Sequence, residues 1–186
     1  RRHRHAGLVP KRKPMLPSIP TVVIPQRQRS RYPAPHMTGI ELHPAVLAAL
    51  ESHGIVFEPM ACDPDLADTA AFCEAYGIPV EDSANTILVA SKSTPPAYAA
   101  CLVLAHTRLD VNRAVRQRLG ARKASFASAD DTVALTGMLI GGVTIFGLPP
   151  DMPIWVDSRV LGRDRVIVGG GNRSSKVIIA PAELTK

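Results

Sequence analysis

Glycine and proline cut the chain into short pieces from Met37 onward. Gly54, Gly77 with Pro79, the Pro95-Pro96 pair, Gly120 and Gly137 break the apolar pattern at close intervals. Glycine ends helices by taking left-handed backbone, and proline lacks the N–H that a central strand needs. Short helices and short strands are what remain. No apolar run approaches the roughly 18 residues of a membrane-spanning helix.

The pieces read in order. Pro44 suits a first helical position, and Val46, Leu47 and Leu50 recur at helical spacing until Gly54. Residues 55–60 read as a strand, and residues 69–76 as a second helix closed by Gly77 and Pro79. Residues 86–91 (TILVAS) and 98–104 read as a hairpin about a turn at 92–96. Asp110 caps a helix over 110–119 with Val111, Val115 and Leu119 as its apolar stripe. A short strand at 123–127 precedes a helix over 129–135, capped by Ser128 with Asp131 in the capping-box position. Residues 154–157 and 165–169 read as strands around a helical turn, and 176–180 as the last strand. Strict βα alternation is missing, which argues against a doubly wound parallel sheet. The expected fold is α/β (α+β): a single domain with a twisted, barrel-like mixed sheet and flanking helices.

Charge divides the chain. Residues 1–36 carry nine Lys/Arg and no acid, whereas residues 37–186 carry 13 basic and 16 acidic side chains, a balance of −3. The formal net charge of +6 therefore belongs to the first segment, and the body has no general phosphate-coating character. Seven of the 17 prolines also fall in residues 1–36, which predicts an extended basic arm. It lacks the apolar core of a signal peptide. The arm reads either as a native anion-binding segment or as a cloning leader, because His36-Met37-Thr38 looks like a junction and Gly7-Leu8-Val9-Pro10 like a tag's protease site. The leader reading is preferred, with boundaries at 1–36 and 37–186. Aromatics are only 4 %, so the core rests on Val, Ile, Leu and Ala. Cys62, Cys73 and Cys101 fit neither a disulfide framework nor a zinc spacing and are expected to be reduced, buried thiols of a cytoplasmic protein.

Three glycine-rich stretches stand out: residues 136–149 (TGMLIGGVTIFGLP), residues 169–176 (GGGNRSSK) and, much weaker, Gly162 after the helical turn. Paired glycines let backbone approach a ligand and turn N–H groups toward an anion or carbonyl oxygen; they also serve simply as tight turns. No phosphate-loop, G-x-G-x-x-G, G-x-S-x-G or H-E-x-x-H pattern is present, and neither metal nor cofactor is expected. His106 lies between a buried strand and a helix, where ligand-facing side chains collect. Arg108, Arg113, Arg116, Arg118, Arg122 and Lys123 form the body's only basic concentration. Phosphate contacts through Arg113 and Arg116 and a solvated helix face are both open readings.

The succession of pieces carries more than any one of them. Asn85-Thr86-Ile87-Leu88-Val89 leads to a return strand and Leu109-Asp110. Leu119-Gly120-Ala121-Arg122-Lys123 and Leu135-Thr136-Gly137-Met138 follow, then the run from Ile140 to Pro149, Val156-Asp157-Ser158, Val168-Gly169-Gly170-Gly171 and Ala180-Pro181-Ala182-Glu183-Leu184. This order resembles the YbaK/prolyl-tRNA-synthetase-associated editing domain family from about Gly39 to Leu184. Two positions depart from the family's pattern: Asn85 stands where many members have lysine, and Ile145 where proline is usual.

The resemblance implies hydrolysis of mischarged tRNA in trans, bearing a small amino acid. The partner would be the acceptor end of an aminoacyl-tRNA, with an aminoacyl-tRNA synthetase as a second candidate, and no membrane. Such an ester is already activated, so main-chain donors, an anchor for the terminal adenosine and a small acyl pocket suffice. The residues implied at the ester are Asn85, Thr86, Gly141, Gly142, Val143 and Thr144. Those implied for substrate and tRNA are His106, Arg113, Arg116, Gly169, Gly170, Gly171, Asn172, Arg173 and Lys176. Arg173 and Lys176 are the candidates for a relocated charge, because an asparagine amide carries none. The alternative is a catalytically silent member that binds an aminoacyl or nucleotide ligand. A basic nucleic-acid-binding protein, resting on the arm alone, is the third reading.

Overall fold

The computed structural model describes residues 39–186, so the expectations for the arm and for Met37 lie outside the described residues. Helix α1 (Pro44–Ser52) starts on Pro44 and buries Val46 and Leu50. Strand β1 (Phe57–Ala61) follows, then α2 (Thr69–Tyr76), which Gly77 closes in left-handed conformation at φ 64°. Strands β2 (Ala84–Ser91) and β3 (Tyr98–Leu104) form the expected hairpin, in register from Ala84↔Leu104 to Ala90↔Tyr98. A helical turn (Val111–Val115) runs into α3 (Arg116–Arg118), followed by β4 (Ala124–Phe126) and α4 (Ala129–Thr136). The rest comprises β5 (Ile154–Val156), α5 (Ser158–Leu161), β6 (Val166–Gly169) and β7 (Ser175–Ile179).

The helix expected over 110–119 forms with a wider first turn. Val115 N–H reaches back five residues to Asp110 O at 3.1 Å, while the Asp110 carboxylate accepts from Arg113 N–H at 2.9 Å. Val111 and Val115 are still buried, as the apolar stripe requires.

The strands form two sheets, ordered β1-β7-β6 and β4-β2-β3-β5. The first is antiparallel throughout; the second is mixed, since β5 lies parallel to β3. The α/β class is as expected, but the described strands close no barrel, so the barrel-like detail is not met. Among the described residues the one backbone bridge between the sheets is Ser83↔Ile167, and one bridge does not make a continuous ladder. They nevertheless share one apolar core, where Val46 and Leu50 of α1 meet Leu102 and Leu104 of β3 and Val166, Val168, Val177 and Ile179 of β6 and β7. The described residues are therefore a single α/β domain. None of their helices is long and apolar enough to cross a membrane.

One local event shapes the site. Strand β4 pairs with β2 over Val89↔Phe126, Ala90↔Ser125 and Ser91↔Ala124. One further bond extends this at each end, Lys92 N–H to Lys123 O and Ala127 N–H to Leu88 O, both 2.9 Å. Then Ser128 takes over: its Oγ accepts from Asp131 N–H at 3.0 Å and turns the chain into α4. Before Leu88, β4 no longer pairs with β2.

Candidate functional site

The gap beside β2 is a cleft of about 320 Å³. One wall is β2 at Asn85 and Thr86, and the facing wall is β6 at Ile167, Val168 and Gly169. The start of α2 closes one end with Ala67, Asp68 and Thr69; the glycine-rich loop closes another with Ile140, Gly141 and Val143. Phe126 and Thr132 stand at the rim where β4 gives way to α4.

Lys176 reaches this cleft from β7. It is only 6 % exposed, and its Nζ donates to Ala67 O at 2.9 Å and Gly141 O at 2.8 Å. The ammonium also sits 5.1 Å from the centroid of the Phe72 ring, which offers it a negative face. No carboxylate lies within salt-bridge distance among the described residues. Burial pulls its pKa below the usual 10.5, because the charged form has lost water that these partners only partly replace. Two of the three ammonium hydrogens are used, and one remains for a ligand.

Asn85 is held by Thr69, whose hydroxyl donates to its Oδ1 at 2.7 Å. That contact leaves the amide NH₂ to donate. Thr86 and Thr144 each bury a hydroxyl that has no partner. Of these two, Thr86 lines the cleft.

The two glycine-rich loops pack closely against each other. A Cβ on Gly142 would lie 1.9 Å from Asn172 O, and one on Gly169 would lie 2.1 Å from Gly142 O. The N–H of Gly142 is already donated to Leu139 O (2.9 Å), and its carbonyl accepts from Gly171 N–H (2.7 Å). Gly170 O takes the His43 N–H at 2.9 Å, tying this loop to α1. Asn172 is equally occupied: Oδ1 accepts from Ser174 N–H and from the Ser174 and Ser175 hydroxyls, and Nδ2 donates to Glu41 O. Arg173 fastens the mouth, donating to Pro64 O (2.9 Å) and Ile140 O (3.0 Å).

The structure thus brings Asn85, Thr86, Gly141, Val143, Gly169 and Lys176 into one cleft. It places Gly142, Gly170, Gly171, Asn172 and Arg173 in the scaffold around it. His106, Arg113 and Arg116 do not line it. The Arg116 guanidinium turns back onto Asn112 O and Ala121 O. Ala67, Asp68, Thr69, Phe126 and Thr132 are cleft residues that sequence reasoning passed over. They belong to no motif; the only available signal was Ser128, which ends β4 and so exposes the gap.

The model of the family described as aminoacyl-tRNA editing domain matches residues 63–186. The fold is similar to the crystal structure of a hypothetical protein (TM-score 0.68, 23% identity, covering 76% of this chain and 91% of that one). It is also similar to a candidate trans-editing enzyme for prolyl tRNA synthetase (TM-score 0.66, 23% identity, covering 77% of this chain and 91% of that one). At these identities the structural likeness speaks for the fold. The family match spans most of the chain and takes in every cleft residue named above, and the chain belongs to the aminoacyl-tRNA editing domain family.

Proposed function

We propose that this cleft hydrolyses the ester joining a small amino acid to the 3′-terminal ribose of a mischarged tRNA, acting in trans. The observation that carries the reading is that a buried ammonium, Lys176, with no described carboxylate at salt-bridge distance, and the Asn85 amide line the same 320 Å³ space. Its aliphatic lining by Ala67, Ile140, Val143, Ile167 and Val168 suits a short acyl side chain.

The chemistry asks little of the protein. Water adds to the ester carbonyl carbon, the bond from that carbon to the ribose oxygen breaks, and a proton from the water ends on the ribose oxygen. The neighbouring ribose hydroxyl relays that proton. As the carbonyl oxygen becomes an oxyanion, fixed donors in a water-poor cleft stabilise it more than they stabilise the ground state. The Asn85 amide and the remaining Lys176 hydrogen are such donors, so the cation absent from position 85 is supplied from β7.

Single-turnover deacylation across a panel of mischarged tRNAs tests the reading. Asn85→Ala and Lys176→Met should each slow cleavage about 10- to 100-fold, the usual loss for one transition-state donor or somewhat less. If no substrate is cleaved faster than in buffer, the deacylase reading falls. Tight binding without cleavage would establish the silent-binder alternative.

A further inference from the structure

We propose that β2 recognises the α-aminoacyl group through the main chain of Thr86, taking the ligand as a strand one residue long. The proposal rests on the editing reading for the nature of the ester, and its geometry comes from the sheet.

Alternation along a strand decides where each N–H and C=O points. Ser91 N–H donates to Ala97 O, and Ser83 O, just before β2, accepts from Ala105 N–H, both at 2.8 Å. Odd-numbered residues therefore bond toward β3. Lys92 N–H donates to Lys123 O, and Leu88 O accepts from Ala127 N–H, so even-numbered residues bond toward β4. Strand β3 agrees: Leu102, opposite Thr86, gives its carbonyl to Asp157 N–H at 2.9 Å on its other side. Thr86 must then turn both its N–H and its C=O to the side that β4 has vacated, which is the cleft. Strand β4 offers a partner to neither group, since its last bond to β2 is the one at Leu88.

This open edge is short. The Leu88–Ala127 bond limits it at one end and the Ser83↔Ile167 bridge at the other. In an antiparallel ladder a residue with both groups free exchanges two bonds with the residue opposite. An α-aminoacyl ester has the two matching groups on one carbon. Its ammonium donates to Thr86 O, and its carbonyl accepts from Thr86 N–H. Antiparallel direction sends the ester oxygen and ribose toward Asn85, and it sets the acyl side chain on the same face of β2 as the Thr86 side chain. Any α-amino acid that fits is held alike, whereas an ester without a free amine loses one of the two bonds.

The probes are two adenosine analogues with a 3′-amide in place of the ester: one alanyl, the other propanoyl and so lacking the amine. Titration calorimetry on the wild-type chain should show the alanyl compound binding at least about tenfold tighter, as a charge-assisted hydrogen bond would give. Thr86→Pro removes an N–H that bonds nothing in the sheet, and proline is tolerated on an open edge. It should bind the alanyl analogue about tenfold more weakly than Thr86→Val, which keeps the N–H. Circular dichroism reports whether the proline variant folds; if it does not, the two analogues on the wild-type chain decide alone. Equal affinity for the two analogues, equal affinity of folded proline and valine variants, or no binding of the alanyl analogue overturns the proposal. Amine-dependent binding with no deacylation would overturn the deacylase reading while leaving the pairing intact. Deacylation indifferent to the amine and to Thr86→Pro would do the reverse.

Discussion

Lys176 holds an ammonium between two carbonyls and a phenyl ring, and its depressed pKa ties it to stability. Because the folded-state value lies below the unfolded 10.5, the unfolded chain binds more protons between those two points. Stability from this group therefore rises as pH climbs through that window. Lys176→Met should remove the rise, seen as a flatter dependence of the urea midpoint on pH than in wild type, measured up to pH 10.5. The position of Lys176 beside the glycines made it legible in the sequence, with Arg173, as a candidate for a relocated charge, and the structure sets it in the same cleft as Asn85. The support of Asn85 by Thr69 was not legible, since the two residues lie 16 apart on different elements and no local pattern links them.

At the scale of elements, punctuation decided what could be read. Gly77 with Pro79 delimits α2, and Pro95-Pro96 delimits the hairpin, because each imposes a backbone that its neighbours cannot continue. The wide turn after Asp110 escaped, because an apolar stripe at Val111, Val115 and Leu119 serves either kind of turn. The glycine loops were legible as places of close backbone approach, but what approaches is another loop. A methyl group on Gly142 would press within 1.9 Å of Asn172 O, a backbone atom with little room to yield. Gly142→Ala should therefore cost about 3 kcal/mol, the upper range for overpacking, read as a lower urea midpoint. Deacylation should fall with it, since the loop carries Gly141 and Val143 into the cleft.

Across the whole molecule, fold class could be read but closure could not. The apolar runs of β2, β3, β6 and β7 are buried alike in a barrel or in two facing sheets, so hydrophobicity does not choose between them. The same burial governs the alkaline limit. Desolvation raises the Cys101 thiol from 9.0 to about 11 despite the nearby Arg118 charge, and it raises Cys62 and Cys73 as well. The folded chain keeps these protons after the unfolded chain has begun to lose them. Their contribution is complete below pH 9.0 and fades as pH rises toward about 11. Cys101→Ala should lessen that alkaline loss by on the order of 2 kcal/mol, measured as the difference between unfolding curves at pH 8 and pH 11.

The early end of β4 reaches further than its three residues suggest. In the present register, a strand that ran on to Ala129 would set that residue against Thr86 and zip the sheet shut. A serine that bends the chain two residues after Phe126 thus separates a sealed wall from an open cleft. A lengthened neighbour strand would close the cleft with every residue inside it unchanged.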